Sequence, residues 1–138
     1  VIRQQIVDEW QEQWIRDVKG RHLYKLKGKV GRMETIQMSN RNQAVITRLR
    51  LGHTALNSTL FILGRHNTGM CECGLDRETA EHVLCACRKY VGNRKLLVKK
   101  LKVKGYKKYD LNILLNEGIV VYKLAIDFLR ESGILDRI

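Results

Sequence analysis

The sequence predicts a mainly α-helical domain with one short strand or extended arm and a cysteine and histidine metal site. Three observations carry this. Proline is absent from all 138 residues, so no helix interior is interrupted by a ring that removes a donor. Apolar residues recur at spacings of three and four, the helical period. The four cysteines all fall between residues 71 and 87 beside a histidine; half-cystines that staple a small secreted fold are normally scattered along it. The length suits one compact domain able to bury a conventional core. We read residues 1–138 as a single unit: a leading helix and arm over 1–38, two helices over 39–64, a metal knuckle over 65–94 and C-terminal helices over 95–138.

The opening helix follows from Ile2, Ile6, Trp10, Trp14 and Val18, which fall on one slowly drifting face, and Gly20 suits its C-terminal cap. "RHLYKLKGKVGR" alternates partly with period two and carries glycines, which predicts the strand or arm. Ser39 or Asn40 can cap a second helix running to Gly52, with Val45, Ile46 and Leu49 inward and Arg41 and Arg48 outward. Thr54 can cap a third, with Leu56, Leu60, Phe61 and Leu63 as its apolar side and Gly64 as its stop. A helix around "ETAEHVL" follows the first two cysteines. A basic helix runs from Arg88 to about Lys104. "DLNILLNE" and "IVVYKLAIDFLRESG" close the chain as two helices separated at Gly118.

Thiolate and imidazole are the ligands of a structural zinc, whose closed tetrahedral shell leaves no position for catalytic water. Cys71 and Cys73 would come from a tight loop made possible by Gly74, and the next helix brings His82. The fourth ligand is Cys85 or Cys87. In a regular helix a residue three beyond His82 lies nearer its face than one five beyond. Geometry alone therefore favours Cys85, and Cys87 can join only where the helix ends or unwinds just before it.

"ITRLRLGHTALNSTL" at 46–60 and "CECGLDRETAEHVLCACRKYVGNR" at 71–94 resemble the zinc-binding region near the C-terminus of non-LTR retrotransposon polyproteins, downstream of the reverse transcriptase and often directly after a ribonuclease H domain. The matching positions are Cys71, Cys73, Gly74, Glu78, Thr79, His82, Val83, Leu84, Cys87, Tyr90 and Arg94. Trp10 and Trp14 with the later Gly20 and Arg21 also resemble the segment leading out of the ribonuclease H domain. The resemblance implies a CCHC knuckle in which Cys71, Cys73, His82 and Cys87 hold one structural Zn2+, leaving Cys85 as a small buried apolar side chain. It also implies reverse transcriptase and ribonuclease H domains of the same polyprotein as partners, with any such activity residing upstream of Val1.

Around the knuckle, Glu78 stands one helical turn before His82, the spacing at which side chains meet. Two roles are open to it: orienting the imidazole, or complementing a positive helix N-terminus with Thr79 or Asp76 as cap. Tyr90 and Arg94, four apart, would brace the knuckle. His53 suits a cap or a core position, His22 carries no signal, and His66 is near enough to be a remote ligand candidate.

The chain carries 26 basic against 14 acidic residues, a net charge of +12, which favours RNA or DNA as partner. Ten basic residues and no acid lie between Arg88 and Lys108. Arg88, Lys89, Lys95, Lys99 and Lys102 are the candidate phosphate contacts, with Lys95, Lys99 and Lys102 opposite Tyr90, Leu97 and Leu101. Lys19 to Arg32 is a second acid-free run. Such contacts position nucleic acid without reading its sequence. No aromatic stacking platform is evident beside the lysines of these runs, so base-specific recognition is not expected; no carboxylate cluster suited to divalent-metal catalysis stands out, and no small-molecule substrate is expected. The longest apolar segment is broken by Lys123 and Asp127, so no membrane span is expected. Clustered thiols fit a reducing compartment, nucleus or cytoplasm. The first residue is Val, and we expect the chain to be a piece of a longer protein.

Overall fold

A computed structural model describes residues 1–32 and 36–138, and it is mostly helical. α1 (Ile2–Arg16) buries none of its residues. Its C-terminal carbonyls are taken by Arg21, whose guanidinium donates to the Trp14 oxygen at 2.5 Å and to the Ile15 oxygen at 3.2 Å. Arg21 also lies over the Trp14 and Tyr24 rings, 5.2 and 4.4 Å from their centroids. Gly20 is not the cap of α1, which ends at Arg16. It stands at φ 68° ahead of the next helix, where a Cβ would meet the Trp14 ring at 3.0 Å. Conformation and space both demand glycine there.

Residues 21–26 correct the strand expectation. They form α2 (Arg21–Leu26), with Leu26 buried. The period-two pattern misled because Leu23 and Leu26 are also three apart, and α2 packs on the next helix and on α6 (Leu111–Asn116). Only residues 27–32 remain extended loop. The next helix, α3 (Asn40–Leu51), matches its expectation. The Ser39 hydroxyl accepts from the Asn42 amide, Gly52 closes the helix at φ 71°, and Val45, Ile46 and Leu49 are buried.

α4 (Asn57–Ile62) is shorter than expected and lacks a Thr54 cap. Thr54 instead accepts from the Leu56 amide in the preceding turn. Of the proposed apolar side, Leu56 is fully buried while Phe61 and Leu63 are exposed. The chain then turns through an isolated antiparallel bridge between Met70 and Arg77. A helix opens at Ala80 and widens into a π-helical turn over His82–Ala86. A 3-10 turn at Arg88–Tyr90 leads into α5 (Val91–Val103). α6, α7 (Ile119–Glu131) and a last 3-10 turn, Leu135–Arg137, complete the chain.

α7 is the centre of the core and packs against α3, α5 and α6. It buries Val121, Tyr122, Ala125, Ile126, Phe128 and Leu129. Leu97 and Leu101 of α5, Leu114 and Leu115 of α6, and Ile46 and Leu49 of α3 complete the packing. Buried Arg50 was not foreseen. It donates to the Leu115 carbonyl at 2.9 Å and to the Tyr122 hydroxyl, so its charge is held by hydrogen bonds.

Candidate metal centre

The loop after Met70 is tight: the Cys71 amide donates to Asp76 O, and the Gly74 amide donates back to Cys71 O, each at 2.9 Å. Gly74 adopts φ 75° there. This turn points Cys71 and Cys73 the same way. Facing them is the π turn, in which the Cys87 amide reaches the His82 carbonyl at 2.6 Å. An i→i+5 bond widens the turn. Residues five apart then share a face, and Cys87 itself leaves the helix at ψ 125°. The unwinding required to bring in Cys87 is therefore present.

The donor atoms of Cys71, Cys73, His82 and Cys87 all lie within 4.8 Å of one another. Cys71 and Cys87 sulfurs are 3.7 Å apart, far beyond a disulfide bond, and Cys73 Sγ is 3.3 Å from His82 Nε2. Cys71, His82 and Cys87 are buried and Cys73 is half-buried. Burial pushes the Cys71 thiol up to about 12, whereas the Leu75 backbone amide and then the His82 ring hold Cys73 down at about 6. Cys85 stands outside the group, half-buried against the core, and burial raises its thiol to about 11.

Glu78 is corrected. Both its carboxylate oxygens face Arg137, Oε1 at 2.5 Å and Oε2 at 3.1 Å, and Oε1 also accepts from the Asn57 amide at 2.9 Å. Those partners, not His82, hold the carboxylate. The helix N-terminus it complements is that of α4, not its own; Thr79 serves the latter by accepting from the His82 amide at 3.1 Å. Sequence spacing found the turn between Glu78 and His82 but missed Arg137 and Asn57, because nothing in a linear pattern brings residue 137 to residue 78.

The expected braces are in place. Arg94 donates to the carbonyls of Val83, Leu84 and Cys87, at 3.0, 3.0 and 2.8 Å, tying down the C-terminal end of the distorted helix, where carbonyls lack a regular intrahelical donor. Tyr90 meets Phe128 edge-on at 6.4 Å. Tyr109, a residue the motif does not include, donates its hydroxyl to Leu84 O. His66 is no part of the cluster; its Nδ1 accepts from the Gly69 amide at 2.9 Å.

The five basic candidates divide. Arg88 donates to Cys73 O and Lys89 pairs with Glu72, so both side chains are engaged at the knuckle. Lys95, Lys99 and Lys102 are exposed and line a shallow groove with Val91, Arg94 and Val98.

The Pol polyprotein of type-1 retrotransposable element R1 3 from Nasonia vitripennis is 32% identical over 97 residues, covering 70% of this chain. The corresponding polyprotein of element R1 2 from the same organism is 27% identical over 101 residues, again 70% of the chain. The chain is a homologue of retrotransposon Pol polyproteins. This Pol homologue spans about a quarter of the length of those relatives, 25% and 23%. No family model matches it, and no solved structure does. Among the described residues of the Pol homologue no helix is long and apolar enough to cross a membrane.

Proposed function

We propose that the chain is a non-catalytic, zinc-stabilised module of a reverse transcriptase polyprotein that helps hold RNA or DNA near enzyme domains elsewhere in the polyprotein. The observation that carries the metal reading is the donor geometry. Two sulfurs about 2.3 Å from one tetrahedral zinc stand about 3.8 Å apart, and the Cys71 to Cys87 separation is 3.7 Å. Three thiolates and one imidazole form a closed shell, so Zn2+ here is structural. Its binding free energy becomes folding free energy for the knuckle.

Lys95, Lys99 and Lys102 support the nucleic-acid reading, projecting from α5 on the side away from buried Leu97 and Leu101. With about six phosphates neutralised, log affinity falls against log salt with a slope of about −5. A non-catalytic role is supported by Glu78, the one buried carboxylate among the described residues, being engaged by Arg137 and Asn57. A second reading, an adaptor docking against the reverse transcriptase or ribonuclease H domain, is favoured by Ile2 and Ile6, exposed at the start of α1.

The test is metal analysis of the purified chain with Cys85→Ser and Cys87→Ser. The expected result is one zinc per chain, kept by Cys85→Ser and lost by Cys87→Ser; a parent without zinc ends the metal reading. Salt-dependent binding to RNA or DNA separates the two functional readings, since the adaptor would dock without it.

A further inference from the structure

In the 88–108 run Lys89 lies over the ring of Tyr90, 5.7 Å from its centroid, and Tyr90 is buried; the other basic run borders exposed aromatic surface. Between α1 and the loop after α2 lies a groove of about 640 Å³, lined by Trp10, Trp14, Leu23, Leu26 and the loop residues Lys27 to Arg32. That volume lies within the range of about 300–1,000 Å³ that holds a small ligand. Its walls are fixed by three hydrogen bonds from α1. Trp14 Nε1 donates to Lys27 O at 2.9 Å, Gln11 Nε2 donates to Gly28 O at 2.8 Å, and Gln11 Oε1 accepts from the Val30 amide at 2.9 Å. The loop is thus tied to the helix through polar side chains, leaving Trp10 and part of Trp14 open to the groove. Trp14 is half-buried, with Tyr24 edge-on at 5.8 Å. Trp10, one turn earlier, is 50% exposed.

Charge selects the occupant. Lys27, Lys29 and Arg32 rim the groove and no acid among the described residues lines it. Two of the acids on α1 are engaged along their own helix, Asp8 by Gln4 and Glu12 by Arg16. An apolar peptide laid in the groove would leave Lys29 and Arg32 without a counter-charge. An unpaired nucleotide offers both things the groove lacks: a π face for the tryptophans and a phosphate for the cations. Stacking of this kind tolerates any base, while the basic rim tracks the backbone.

We propose that this groove binds a single-stranded segment of RNA or DNA by stacking an unpaired base on Trp10 and Trp14. The proposal rests on the nucleic-acid reading above and adds a second surface, selective for unpaired strands.

The chain has two tryptophans, and both line the groove, so intrinsic tryptophan emission reports this site directly. The experiment titrates the metal-loaded chain with an unstructured oligoribonucleotide, its deoxy counterpart and a duplex of the same sequence, following emission and, with labelled oligonucleotide, anisotropy together. Quenching by single strands that tracks the anisotropy, with little quenching by duplex, is expected. Quenching by RNA alone or by DNA alone supports the site and names its strand. Trp10→Ala, an exposed position, should weaken single-strand binding by about tenfold and leave duplex binding unchanged. The triple variant Lys95→Ala, Lys99→Ala and Lys102→Ala should weaken both. Binding without an emission change overturns the groove and leaves the nucleic-acid reading standing; no binding at all overturns both. A blue-shifted emission that grows with protein concentration, with a doubled mass in sedimentation, would seat a second copy there and also overturns it.

Discussion

α1 and α7 are both written with apolar residues at helical spacing, yet α7 buries six residues and α1 none. The difference lies in the width of the apolar arc. In α7, Val121 with Tyr122, Ala125 with Ile126 and Phe128 with Leu129 come in adjacent pairs, so the apolar surface covers both neighbouring rows and can meet three other helices. In α1 the stripe of Ile2, Ile6, Trp10 and Trp14 is widened only by Val7 and Ile15, and Gln4, Gln5, Gln11 and Gln13 interrupt it. One stripe of that width suits one surface. Within the described residues it receives the short loop tied by Gln11 and Trp14, with Arg21 and Tyr24 of α2 against Trp14 alone. Periodicity therefore shows that a face exists, and arc width shows how much of the same chain is there to cover it.

The largest effect that tests this contrast is a truncation at the centre of α7. Leu129 is fully buried, and Leu129→Ala removes its contacts and leaves a cavity that close packing cannot refill. A loss of about 2–5 kcal/mol is expected in denaturant unfolding of the chain. A loss below about 1 kcal/mol would mean that α7 is not the centre of the core.

A smaller effect is expected where the knuckle meets the C-terminal turn. Glu78 is 2% exposed and accepts a forked pair from Arg137. Arg137 in turn lies on a turn whose backbone carbonyl takes the Ala55 amide at 2.7 Å. Glu78→Gln keeps the shape, replaces an oxygen by a donor facing guanidinium, and should lower stability by about 1–3 kcal/mol. Metal stoichiometry should stay at the parent value, because neither carboxylate oxygen is bonded to His82. Loss of the metal in this variant would restore the orienting role that its position one turn before His82 suggested.

These two regions also show what was legible from residues alone. α3 and α7 could be read because a capping side chain and glycines mark their ends, Ser39 with Gly52 and Gly118 at φ 107°; α6 begins where the Asp110 side chain accepts from the Ile113 amide at 2.8 Å. The grouping of Cys71, Cys73, His82 and Cys87 was legible only through the family register. Regular helix geometry pointed to Cys85, and the π turn that reverses the choice depends on carbonyls held by Arg94 and Tyr109, 7 to 25 residues away in sequence. α2 was misread because six residues hold too little pattern to separate period two from period three and a half. The Glu78 to Arg137 pair and buried Arg50 were illegible because tertiary contacts, not neighbours, define them.

The smallest expected effect is the one that bears most directly on α1. Ile6 is 60% exposed, so Ile6→Ala removes little buried area and should change unfolding stability by less than about 0.5 kcal/mol. Helix propensity works slightly in its favour, since alanine replaces a β-branched residue on an exposed position. The comparison with Leu129→Ala then spans nearly the full range a single aliphatic truncation can produce, on two helices with the same nominal period. A loss above about 1 kcal/mol at Ile6 would break the contrast: it would require the stripe to be covered in solution. Repeating the measurement at tenfold lower protein concentration would identify the cover, because burial against a second copy weakens on dilution and burial within one chain does not.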